Sequence, residues 1–187
     1  MTRPLLISAL LASAIACSTR RADTTNSTTS ATPQQATPVT VNLSGANGAS
    51  VGTAMLSPDA TGVRITLAVS GLSAGEHAIH VHQTAQCDGP AFTSAGGHFN
   101  PAGTPHAGPD SAQRHAGDLG NLVADANGVA VYRVQVSGIS LGTAADSIIG
   151  RAVIVHATAD DLRTQPSGNS GARVACGLIS KSADQWF

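Results

Sequence analysis

At 187 residues the chain has room for one domain of ordinary size plus a tail, and a hydrophobic content of 42% is enough for a packed core. Aromatics make up only 3%, so that core must draw on Val, Ile, Leu and Ala, a set that suits many short strands better than long helices. A net charge of −1, with 11% charged residues, Lys181 the only lysine and Glu76 the only glutamate, leaves neither a basic patch for nucleic acid nor an acidic tail.

Residues 1–17 read as a secretory signal: Arg3 is the positive head, Leu5 to Ile15 an apolar run too short to span a bilayer, and small residues close it. The ending AIAC resembles a bacterial lipobox, whose cysteine is lipidated and becomes the mature N-terminus. Ala14 stands where such motifs prefer Leu, so ordinary cleavage near Ala16 remains the alternative. The three cysteines, Cys17, Cys87 and Cys176, are an odd number for an exported protein. If Cys17 carries lipid, Cys87 and Cys176 are left to pair in an oxidising compartment. Localisation then follows as the bacterial cell envelope, on the periplasmic side, with a membrane anchor at Cys17. Residues 18–38, rich in Ser and Thr, have no periodicity and read as a disordered tether. As a flexible coil its mean reach is about 25 Å.

The folded domain is placed at 39–187. Strands are expected at 39–44, 51–57 and 62–70, the last with Val63, Ile65, Leu67 and Val69 on one face. Turn residues at 58–62 and 70–76 flank it, and EHAIHVH (76–82) follows as a fourth strand. Later come 119–125, a tight turn, 129–136, 151–157 and 173–180. Eight strands without a convincing helix predict an all-β, eight-stranded antiparallel Greek-key barrel or sandwich. Between Gln83 and Gly117 lie more than thirty residues rich in Gly, Pro and His with no strand pattern, the length at which a loop is usually functional or stapled. A shorter irregular loop runs from Asp160 to Ala172.

His80 and His82, two apart on a strand, project from one face, while His77 at an odd offset points the other way. Such a pair is half of a metal site suited to copper or zinc, or a plain feature of a barrel end. His98, His106, His115 and Asp118 follow in the loop at spacings of eight, nine and three. Three imidazoles and a carboxylate make a closed four-coordinate set, which suits zinc.

Together HVH, GGHFNP, RHAGDLGN, VIVHATADDL and GNSGARVACGLI resemble copper–zinc superoxide dismutase in its bacterial exported form, in the family's order, from about Val39 to Ser180. The resemblance implies one copper held by His80, His82, His98 and His156, and one zinc held by His98, His106, His115 and Asp118, with His98 shared. It implies that Asp160 hydrogen-bonds His80 and His106, that Arg173 attracts and positions the superoxide anion, that Cys87 and Cys176 form the disulfide, and that His77 is structural. The implied reaction is dismutation of superoxide to oxygen and hydrogen peroxide by alternate reduction and oxidation of the copper. Arg173 and His98 are the candidate catalytic residues.

The chain departs from the family in three places. Ala78 and Ile79 stand where many members have Gly and Phe. Gln83 replaces a glutamate, and the loop 160–173 lacks the lysine and acidic residues of longer versions. The oligomeric state is left open, a homodimer included. The rival readings are a non-catalytic copper- and zinc-binding envelope lipoprotein on the same fold and a structural envelope protein with a zinc-stabilised loop. A zinc hydrolase fits less well, since the loop set leaves no position for water.

Overall fold

The computed structural model describes residues 37–181, so the segment read as an export signal, Cys17, the segment read as a tether up to residue 36, and residues 182–187 of the expected domain lie outside the described residues. All eight expected strands form: β1 Val39–Gly45, β2 Ser50–Asp59, β3 Gly62–Val69, β4 Gly75–His82, β5 Asp118–Ala124, β6 Ala130–Ser137, β7 Arg151–His156 and β8 Arg173–Ile179. Among the described residues the only helical element is a single 3₁₀ turn, Thr93–Ala95.

Every ladder is antiparallel, in the order β5-β4-β7-β8-β1-β2-β3-β6. The neighbours β4–β7, β8–β1 and β3–β6 are not consecutive in the chain, so connections cross the ends of a nearly closed barrel in the Greek-key manner. The seam lies between β5 and β6. A tight turn joins these strands, and the Asp125 carboxylate accepts from the Asn127 and Val129 amides at 2.8 and 2.9 Å. They share no ladder; instead the Tyr132 hydroxyl donates to the Leu119 carbonyl at 2.5 Å.

Period-two alternation builds the interior. Val63, Ile65, Leu67 and Val69 of β3 are buried in one cluster with Val39, Val41 and Leu43 of β1, while Thr40, Asn42, Arg64 and Ala68 between them are exposed. Each such aliphatic side chain contributes about 1.5–3 kcal/mol on burial. On β4 and β7 both faces are buried. Ile79, Val81, Val153 and Val155 enter the barrel core. Ala152 and Ile154 point outward instead, into a second cluster with Phe92, Ala95 and Cys176.

That outer cover is the long loop. It pairs back on the end of β4, with the Phe99 amide donating to the Val81 carbonyl at 2.7 Å and the Val81 amide to the Gly117 carbonyl at 2.9 Å. The disulfide joins Cys87 to Cys176 of β8, with Cα atoms 5.7 Å apart. Arg151 adds a further tie, donating to the Gln83 carbonyl with its guanidinium 4.6 Å from the centre of the Phe99 ring.

Candidate metal centre

The strand face turned away from the barrel core carries His80 and His82 on β4, with His156 on the neighbouring β7. His98 is delivered by the loop, through an isolated bridge to His82. Asp118 opens β5 opposite His80, and His106 and His115 come from the irregular segment before it. All seven side chains are buried. His77 sits opposite the core residue Leu122, its Nδ1 2.8 Å from the His156 carbonyl and its Nε2 2.9 Å from the Ser73 carbonyl. It stays outside the cluster, in the supporting role expected of it.

Two donor sets result. His80, His82, His98 and His156 form one and His98, His106, His115 and Asp118 the other, each with its donor atoms within 4.8 Å of one another. The second set is tight: Asp118 Oδ1 lies 2.8 Å from His98 Nδ1, 3.0 Å from His106 Nδ1 and 3.3 Å from His115 Nδ1. Four donors at about 2.0 Å from a tetrahedral ion stand about 3.3 Å from each other, so these spacings suit zinc. In the first set His82 Nε2 and His156 Nε2 are 3.4 Å apart. Buried His80 Nδ1 and His98 Nε2 have no hydrogen-bond partner, and His106 Nδ1 has only the Asp118 carboxylate beside it. A buried polar atom without a partner costs about 1–3 kcal/mol, so these unpartnered nitrogens mark a place a cation would fill.

The nitrogen that each ring leaves free is set by what its other nitrogen does. His80 Nε2 donates to Asp160 Oδ2 at 2.9 Å, and His106 Nε2 donates to Asp160 Oδ1 at 2.9 Å. One carboxylate therefore orients one ring of each set. His82 Nδ1 donates to the Gly96 carbonyl at 2.9 Å, which turns its Nε2 inward.

Burial, reinforced by His98 and His156, holds His80 well below the usual imidazole range. Burial also lowers His82 to about 2 and His156 to about 4, and it lowers His115. His106 goes the other way: burial disfavours its charge, but the Asp160 hydrogen bond and the Asp118 carboxylate outweigh that and raise its pKa. Burial likewise opposes ionisation of Asp118, yet its contacts with His98, His106 and His115 keep it below the ordinary carboxylate range. At neutral pH His80, His82, His115 and His156 are thus uncharged donors beside an anionic oxygen.

A cleft of about 390 Å³ opens over the first set, lined by His82, His98, His156 and Arg173 and containing no carboxylate. The Arg173 guanidinium donates to the Phe92 carbonyl at 2.5 Å and to the Gly96 carbonyl at 2.6 Å, which fixes its direction at the wall.

Several supporting residues were not singled out from the sequence. Asn121 clamps the Asp160 main chain, donating to its carbonyl at 2.9 Å and accepting from its amide at 2.7 Å. Gln165 does the same to His106, at 2.7 and 2.8 Å. Asn121 lies inside the quoted RHAGDLGN and Gln165 inside the short loop, but nothing in their spacing points to a main-chain partner.

The family model described as copper/zinc superoxide dismutase matches residues 50–179. The chain belongs to this family. It is 42% identical over 143 residues to a Cu-Zn superoxide dismutase of Paramecium bursaria Chlorella virus 1, covering 72% of this chain and 75% of the viral one. To the Cu-Zn superoxide dismutase of Deinococcus radiodurans it is 36% identical over 154 residues, covering 75% and 83%. Among solved structures, a double mutant of a SOD-like protein from Bacillus subtilis superposes with a TM-score of 0.72 at 36% identity, covering 76% of this chain and 97% of that one. The eight-stranded barrel is that of the superoxide dismutase family.

Proposed function

We propose that this protein dismutes superoxide, two anions and two protons giving one oxygen and one hydrogen peroxide. His80, His82, His98 and His156 hold one copper, and His98, His106, His115 and Asp118 hold one zinc. The observation that carries this reading is the buried His98 ring, a member of both donor sets, with Nδ1 2.8 Å from Asp118 Oδ1 and Nε2 left without a hydrogen-bond partner. When bound, the copper supplies the one-electron exchange with superoxide, while the zinc has no redox chemistry.

The chain's own residues do the rest. Arg173, always charged and presenting a fixed fork of donors, draws the anion into a cleft without opposing carboxylates. His98 Nε2 is the atom placed to take up and release a proton on the copper side, while Nδ1 stays engaged with the zinc set. Asp160 keeps the rings on both sides in register. A protein that only stored metal would need neither a shared imidazole nor an anion guide, which argues against the non-catalytic alternative.

Residues 1–17 serve as an export signal, with Cys17 lipidated and the domain held in the bacterial envelope by the tether. The Cys87–Cys176 bond supports export, because disulfides persist in oxidising compartments. Release of the protein from the membrane fraction by Cys17→Ala tests the anchor.

The activity is tested by superoxide decay with protein carrying one copper and one zinc per chain. The expected result is acceleration proportional to protein concentration, abolished by His156→Ala and reduced at least tenfold by Arg173→Ala, which also flattens the ionic-strength dependence. Both metals bound with no acceleration would leave only the storage reading.

A further inference from the structure

His106 is held in two independent ways. Asp160 fixes its ring through Nε2. Its main chain lies in a segment with no helix or strand, and among the described residues neither its amide nor its carbonyl bonds another main-chain group. Both are taken instead by one side chain 59 positions away: the Gln165 amide donates to the His106 carbonyl at 2.7 Å, and its oxygen accepts from the His106 amide at 2.8 Å. The same Gln165 nitrogen also reaches the Arg163 carbonyl at 3.2 Å.

A primary amide set against the N–H and C=O of one residue reproduces the two-bond pattern of paired strands. It fixes the Cα position where a single bond would leave a pivot. The position matters because His106 Nδ1 must stay about 3 Å from Asp118 Oδ1 for both to reach one ion. The hydrogen bonds of the Gln165 side chain go to His106 and Arg163 and to no member of the copper set.

We propose that Gln165 is a positioning residue for zinc, registering the His106 main chain while Asp160 registers its ring; this rests on the reading of His106 as a zinc ligand. Partners one step removed from a metal typically change its affinity 10–100-fold, and since Gln165 is itself exposed the lower end applies, about tenfold.

The test uses the full-length protein with its disulfide formed. Zinc affinity is measured by chelator competition, copper affinity is measured without zinc, and cobalt(II) absorbance reports the geometry of the zinc set. Gln165→Met keeps the length and removes both bonds. It should weaken zinc about tenfold, change the cobalt spectrum and leave copper affinity unaltered. Gln165→Glu keeps an acceptor for the His106 amide and should recover part of the loss. Hydrogen exchange in the unmutated protein should show the His106 amide protected. Unchanged zinc affinity, equal losses at both metals, or an unprotected His106 amide overturns the inference alone. A wild-type protein that takes up no zinc overturns the inference and the reading beneath it.

Discussion

Gly168 lies against Asp160 and the His106 ring, and replacing it tests the packing around Asp160. Its φ is +66°, and a Cβ built there would stand 1.7 Å from Asp160 Oδ1 and 2.8 Å from His106 Nε2. Alanine in the left-handed region costs about 1–2 kcal/mol by itself. The clash forces the carboxylate off the His106 ring, and a hydrogen bond to a charged group is worth about 1.5–3 kcal/mol. Gly168→Ala should therefore cost about 2.5–5 kcal/mol. Gly103 is the control, because its φ is +65° but nothing lies within 4 Å of its missing Cβ. Gly103→Ala should cost only the backbone share, about 1–2 kcal/mol. Denaturant unfolding of the metal-free, disulfide-intact proteins measures both, provided the slopes agree so that midpoints report stability. Zinc competition should show weaker binding in Gly168→Ala alone. Equal losses in the two variants would refute the claim that the gap at Gly168 exists to seat Asp160.

The remaining predictions concern acid, the shared carboxylate and the disulfide. His82 and His156 have folded pKa values of about 2 and 4, below the unfolded value, so the unfolded chain takes up protons first and stability falls as pH drops below about 6.5. Between pH 7 and 5 each should remove roughly 2 kcal/mol from the metal-free protein. The raised pKa of His106 opposes part of this, and a stability that stays flat or rises over that interval would contradict the assignment. Asp160→Asn puts a donor where two ring N–H groups need acceptors, and competition assays should show both metals bound about 10–100-fold more weakly. Replacing Cys87 and Cys176 by serine frees a loop closed over 89 positions, and unfolding should register a loss of about 4–5 kcal/mol; less than about 1 would place the loop's order elsewhere.

What the sequence revealed and what it hid divide along one physical line. The alternation in β3 and the His80/His82 pair were legible because a strand repeats every two residues, and the structure keeps both on the faces expected. The loop between Gln83 and Gly117 has no repeat. Its three histidines and one carboxylate suggested a zinc-type donor set by residue type alone, but which imidazole is shared with the strand pair came only with the family resemblance. Asn121 and Gln165 were not legible at all: they act on main-chain groups, and no pattern of side chains records which amide a distant carbonyl will meet. The seam was hidden for a related reason. The turn at Asp125 folds β5 back beside β6, but β5 spends its ladder on β4, where Asp118 faces His80, and that preference belongs to the pair of strands.

The Gly96 carbonyl shows how a segment without regular structure can still hold a site rigidly. One oxygen accepts from His82 Nδ1 and from the Arg173 guanidinium. It sets which His82 nitrogen faces the cleft and also the direction of the cation at the wall. Phe92 supplies the second anchor for Arg173 while its ring packs in the outer cluster beneath the disulfide. The copper candidate and the anion guide therefore cannot shift independently: any movement of the segment between Cys87 and Gly96 moves both. Fastening that segment to β8, the strand that begins with Arg173, closes the circuit, so the disulfide bears on the geometry of the cleft as well as on the stability of the fold.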